Sequence, residues 1–270
     1  MIVRTMALIN DITLGQYYPA DSFVHRLDPR SKLVASLLAM SAMLLSYEPL
    51  LIIMYIIILG AGIGSSRLPM GLVVRNLRPF IWLFLLTMFI HGFFTEGEPL
   101  INLPVFNAQV TMEGFEKGLL YSIRLALLIV FAALLTLTTS PIEMTDGLEL
   151  LLSPAKKIRV PTHELTMMMT LAMRFIPTLL IEADKLKKAQ MARGAVFEGN
   201  IVQRVRSIIP LLLPLFISSF RRADELALAM DARCYAGGEG RTTYKILRFK
   251  SADYFIIFGA ALLVPLAIIL

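Results

Sequence analysis

The 270 residues contain a single cysteine, Cys234. This excludes an internal disulfide and any metal site built from several thiolates. The three histidines, His25, His91 and His163, are scattered and propose no metal centre. No glycine-rich loop leads into Lys-Ser or Lys-Thr, so the chain is not expected to bind ATP itself. The first 28 residues are mixed and polar, with no apolar core, so a cleavable signal peptide is not expected. Tandem repeats and low-complexity segments are absent from the sequence.

What is abundant is apolar surface. Hydrophobic residues make up 57% of the chain, and the mean hydropathy is +0.71. Soluble domains usually sit near 45–50% apolar. The excess lies in long runs, as in membrane proteins. The expected fold is an all-α polytopic membrane protein with about five transmembrane helices and long amphipathic helices outside them.

Residues 1–28 read as an arm at the membrane surface. Asp28 suits an N-cap with Pro29 at the first helical position. The chain is then apolar to Arg67, interrupted at Glu48-Pro49. That stretch is about twice what one span needs, so a hairpin of two short spans is expected rather than one long helix. Ser65 to Arg78 reads as a loop, Leu77 to Thr95 as the third span and Glu96 to Glu116 as a turn-rich loop. Gly118 to Thr139 is the fourth span, and Ala252 to Leu270 the last. The expected organisation is an arm (1–28), four spans (29–140), a cytoplasmic region (141–250) and a final span (251–270).

The formal charge of +6 is first a topology signal. With five spans and an inside N-terminus, every one of the 26 Lys and Arg falls on inside segments except Lys117 and Arg124. The positive-inside rule therefore favours N-terminus in and C-terminus out. Arg124 is the one charge within an expected span. It lies less than two turns from the outer end and is expected to snorkel outward. Gly60 and Gly64 form a small-xxx-small pair suited to close helix packing.

Between Pro141 and Arg248 the chain turns basic and mostly polar. Its two apolar runs, Leu165–Ile181 and Ile208–Phe220, are broken by Arg174 and Pro177 and by Pro210 and Pro214. Both read as buried or interfacial helix continuing into polar, amphipathic helix. Ala223, Leu226, Ala227 and Met230 fall on one face at i, i+3, i+4 and i+7. Each helix ends on an arginine between small residues: Ala192-Arg193-Gly194 and Ala232-Arg233-Cys234. The plain reading is two ordinary helix ends, each with a cation favoured by the helix dipole and a glycine stop, Gly194 in one case and Gly237-Gly238 in the other. Against it stands the duplication. Small neighbours leave each guanidinium free to fork a carboxylate or carbonyls on a partner.

These tripeptides occur together with Gly15-Gln16-Tyr17-Tyr18-Pro19, His25-Arg26-Leu27-Asp28-Pro29, Thr138-Thr139-Ser140-Pro141 and Arg174-Phe175-Ile176-Pro177. The set resembles the transmembrane T component (EcfT) of energy-coupling factor transporters, an ABC-type vitamin uptake family of bacterial cytoplasmic membranes. The resemblance covers nearly the whole chain. It implies two cytoplasmic ABC-type ATPases that carry the ATP and magnesium, one docked at each arginine motif. It also implies a separate membrane-embedded, substrate-binding S component. Met167, Met168, Met169 and Met173 cluster on the first apolar run. Any one of them reads as core filling, but the family resemblance raises the alternative of a re-packable S-component contact. A self-sufficient carrier would need paired charges or broken helices at the midplane, and an intramembrane enzyme converging polar groups; neither pattern is evident. No cofactor in this chain and no nucleic-acid partner are expected.

Overall fold

A computed structural model describes residues 17–45, 48–97, 99–102, 109–154, 161–195, 197, 200–237 and 247–269. These residues form nine α-helices. They are α1 (Pro29–Leu45), α2 (Pro49–Ser66), α3 (Met70–Leu77), α4 (Ile81–Phe94), α5 (Met112–Thr138), α6 (Pro141–Leu152), α7 (Thr162–Ala192), α8 (Ile201–Asp231) and α9 (Ser251–Ile269). One 3-10 turn, Arg78–Phe80, joins α3 to α4. The expected turn-rich loop holds a two-stranded antiparallel hairpin, β1 (Pro99–Asn102) with β2 (Gln109–Thr111). The expected loop at 65–78 is largely α3, which starts directly after Pro69.

Five helical stretches are long and apolar enough to cross a membrane: Pro49–Ser66, Met70–Phe94, Met112–Thr138, Thr162–Ala192 and Ser251–Ile269. The set differs from the expected one in two places. At 17 residues, α1 is shorter than the rest, and α7 qualifies through its apolar first half.

The chain divides into two compact units, one from residues 17–147 and 247–269, the other from 148–237. In the first unit, α1, α2, α5 and α9 share a core that includes Ala42, Met43, Leu51, Tyr55, Phe131 and Leu263. The Tyr55 and Phe131 rings meet edge to face, with centroids 6.3 Å apart. Helices α4 and α5 pack closely at Gly114 and Gly118. A Cβ at Gly114 would lie 2.5 Å from the His91 carbonyl oxygen, and one at Gly118 would lie 3.1 Å from the Met88 Cα. That small-xxx-small pair brings the helices together. At Gly60 and Gly64, the pair expected to do so, a Cβ would meet nothing within 4 Å.

Arg124 departs from expectation. The helix begins at Met112 rather than Gly118, which moves Arg124 toward its middle. Its side chain is buried, 7% exposed, and does not snorkel.

A buried polar clamp ties α1 to α9 across 225 positions of sequence. Asp253, fully buried, accepts hydrogen bonds from the Asp28 backbone N–H (2.9 Å), the Ser31 hydroxyl (2.7 Å) and the Lys250 backbone N–H (2.8 Å). Asp28 in turn caps α1: its Oδ1 accepts from the Arg30 backbone N–H at 2.9 Å. The Lys32 ammonium donates to the Thr138 carbonyl at 3.0 Å and the His25 carbonyl at 3.2 Å. The starts of α1 and α9 and the end of α5 therefore lie together at one end of the bundle.

Candidate functional site

The second unit is organised around α7 and α8. Polar groups fix their crossing. The Ser218 hydroxyl donates to the Glu182 carboxylate, and Arg222 Nη2 donates to Glu182 Oε2 at 3.0 Å. Beyond that point α8 runs back beside the earlier turns of α7. A groove of about 360 Å³ separates them, lined by Met168, Leu171, Phe175 and Leu179 of α7 and by Ala223, Leu226, Ala227 and Met230 of α8. The apolar face read from the spacing of those last four residues is the face that meets α7.

This antiparallel crossing sends the two arginines to opposite ends. Arg193 stands eleven residues beyond Glu182, and Arg233 eleven beyond Arg222. At roughly 1.5 Å per residue each arm is about 16 Å long. Other polar contacts stiffen the unit. Lys188 pairs with Asp184 at 2.6 Å, one turn apart, and His163 Nδ1 contacts Glu149 Oε1 at 3.0 Å.

The two tips have the same backbone cap. After α7, the Gly194 N–H donates to the Met191 carbonyl (3.0 Å) and the Ala195 N–H to the Gln190 carbonyl (2.9 Å). After α8, the Cys234 N–H donates to the Asp231 carbonyl (2.9 Å) and the Tyr235 N–H to the Met230 carbonyl (3.0 Å). Gly194 (φ 87°) and Cys234 (φ 57°) both take the left-handed conformation that ends a helix in this way. The helix stop after α8 is thus Cys234 rather than the expected Gly237-Gly238; Gly237 also has positive φ (92°), and Gly238 lies outside the described residues. A non-glycine residue there costs about 1–2 kcal/mol, so Cys234 holds its cap at a price that Gly194 does not. Ala192, Arg193, Gly194, Ala232, Arg233 and Cys234 are all exposed.

The methionines do not form one surface. Met168 (60% exposed) lines the α7–α8 groove and Met169 (44%) is also exposed, while Met167 and Met173 are half-buried. Three consecutive helical residues point about 100° apart, which forbids a common face. A larger apolar surface lies on α8. Val202, Val205, Ile209, Leu213, Phe216 and Phe220 recur every three or four residues, and all six are exposed, Phe220 at 68%. The sequence carried that periodicity; the prolines inside it, Pro210 and Pro214, obscured it, yet the helix runs through both. The Glu182–Ser218–Arg222 crossing had no comparable signal, because nothing local pairs positions 36 and 40 apart.

Fold and site together define a multi-pass membrane protein that presents two matched arginine tips on a crossed pair of amphipathic helices. Residues 20–244 match the family model described as CbiQ, cobalt transport protein. The chain is 53% identical over 249 residues to the energy-coupling factor transporter transmembrane protein EcfT of Acidaminococcus fermentans, covering 91% of each. It is 49% identical over 249 residues to the EcfT protein of Heliobacterium modesticaldum, covering 92% of each. With the EcfT protein of Bacillus subtilis the identity is 42% over 260 residues, 96% of this chain and 98% of that one. The chain therefore belongs to the EcfT family, the transmembrane proteins of energy-coupling factor transporters. It is a membrane transport subunit of a multi-component transporter.

Proposed function

We propose that this chain is the scaffold through which two cytoplasmic ABC-type ATPases drive a separate S component that carries a vitamin or other micronutrient. The observation that carries the reading is the pair of matched caps. They present Arg193 and Arg233, each exposed, at opposite ends of one crossed helix pair. Coupling requires a two-state element, and the crossed pair, joined at one polar point, is proposed to be it. ATP-driven closure of the ATPases would change the angle between α7 and α8, and the moving apolar faces would tilt or release the S component. ATP and magnesium stay on the ATPases.

The proposed orientation is N-terminus inside and C-terminus outside, with 1–28 as an inner arm, 29–140 as four spans, 141–250 as the cytoplasmic coupling region and 251–270 as the last span. The clamp at Asp253 supports it. Because α1 and α9 start at the same end of the bundle and α5 finishes there, the intervening segment leaves and returns on one side. A single crossing by α7 would break that parity; the basic residues of the segment make that side the cytoplasm. Cys234 tests this. A membrane-impermeant maleimide should fail to label it in right-side-out vesicles and should label it after permeabilisation of vesicles holding this chain without its partners. Labelling from outside would overturn the five-span orientation.

The S-component contact is assigned to the exposed Met168 and Met169, on separate faces of α7, with the half-buried Met167 and Met173 contributing less, and to the exposed face of α8. Phe216→Asp with Phe220→Asp is expected to release the S component in detergent pull-downs while both ATPases stay bound. Met168→Asp with Met169→Asp should do the same more weakly, since these two side chains offer less apolar area. Loss of the ATPases with the S component retained would show that these surfaces are misassigned. Pull-down of the unaltered chain should bring both ATPases and an integral membrane partner; a chain that purifies alone from membranes expressing all the components would refute the scaffold.

A further inference from the structure

Among the described residues, the first unit contains a groove that no side chain fills. α1 packs against α9, α2 and α5, and α2 packs against α5, so α1 and α5 form a floor between α2 and α9. The space above that floor is about 420 Å³. Small residues create it: Ala35 and Ala39 on the floor, Ala61 and Gly62 on one wall, Gly259 and Ala260 on the other. A Cβ at Gly259 would meet nothing within 4 Å. Ala61 and Gly259 are exposed at the mouth, whereas Ala39 and Ala260 are buried. From Lys32 to Ala39 the groove follows α1 for about 10 Å.

Its walls are apolar apart from a few hydroxyls and one charge. Among the described residues that charge is Lys32, at the end where α1 and α9 begin and α5 finishes. The ammonium already donates to the carbonyls of His25 and Thr138. It has three N–H donors, so one remains for a third acceptor. Water gains little in a space so poor in polar partners, and an empty groove forfeits dispersion contacts along its whole lining. The helices that flank the mouth expose Ile57, Phe255 and Phe258, as segments bathed by acyl chains do. One cationic pole at the end of an apolar channel, open sideways between membrane-crossing helices, is the shape and chemistry of a bound amphiphile.

We infer that this groove is a phospholipid site: one acyl chain lies along α1 between α2 and α9, with a phosphate or ester oxygen accepting from Lys32. The lipid fills the first unit and leaves the arginine tips untouched, so the site stands or falls separately from the coupling role. The test uses the full chain with its partners in vesicles of phosphatidylethanolamine and phosphatidylglycerol, the latter bearing a diazirine midway along one acyl chain. After photolysis, label is mapped by mass spectrometry. The groove residues of α1, α2 and α9 should be labelled above the outward-facing Phe255 and Phe258. Gly259→Phe fills the groove from one wall and Ala61→Leu from the other. Each should reduce groove labelling to the level of the outward surface without lowering the thermal stability of the complex, while Gly259→Ala should retain it. Labelling no higher in the groove than at Phe255 and Phe258, or unchanged by both plugging variants, would overturn the proposal.

Discussion

Reversal of both arginines, Arg193→Glu with Arg233→Glu, is expected to abolish uptake while the chain still folds and inserts. Each guanidinium is exposed at the tip of a finished helix, so its contribution to the isolated chain is confined to the helix dipole, about 0.3–1 kcal/mol. In a complex, the same group forked by a desolvated acceptor is worth far more. Removing one side of such a pair costs about 2–5 kcal/mol, and each 1.4 kcal/mol is tenfold in affinity. Reversal adds repulsion to that loss. Each single change should therefore impair transport, and the pair should eliminate it. Lysine at either site should rescue only in part, because it lacks the planar fork. Vitamin uptake, ATPase co-purification and thermal stability measured side by side separate docking from folding. Intact assembly and uptake in the double variant would reduce both tips to ordinary helix ends.

A second large effect is expected at Asp253, and it should fall on stability. Asp253→Ala leaves two backbone donors without their acceptor, the buried Asp28 N–H and the partly buried Lys250 N–H, while the Ser31 hydroxyl keeps the Asp28 carbonyl at 2.7 Å. A buried donor so orphaned costs roughly 1–3 kcal/mol, so the loss is a few kcal/mol and a sizeable share of a marginal fold. The variant should show a markedly lower unfolding temperature in detergent, and α9 should become accessible to proteolysis at its start. Asp253→Asn keeps an acceptor oxygen and should be milder. An alanine variant as stable as the parent would show that the clamp does not hold α1 to α9.

The helix starts marked by proline were the most legible part of the sequence. Pro29 after Asp28 and Pro49 after Glu48 mark the starts of α1 and α2 where the structure has them. Local chemistry fixes such boundaries, because proline is tolerated at a first helical turn. The same reasoning failed where two signals competed. Residues 65–78 carry three arginines and looked like a loop, but Met70–Leu77 is an amphipathic helix with Val73 buried. Contacts across long sequence separations were not legible at all. Nothing in the order of residues ties Ser31 to Asp253 or Glu182 to Arg222. The arginine tips were found by their repetition. Their placement at opposite ends required the antiparallel crossing, and Cys234 in the left-handed conformation required the backbone of its cap.

Each arginine tip is proposed to be a separate ATPase docking point. Site-specific photo-cross-linking tests it most directly. A benzophenone side chain placed at Ala192 in one variant and at Ala232 in another, both exposed beside their arginines, is photolysed in the assembled transporter in native membranes. Each position should cross-link to an ATPase subunit and, where the two ATPases differ, to a different one. Cross-links from either tip to lipid or to the S component alone, with no ATPase adduct, would contradict it.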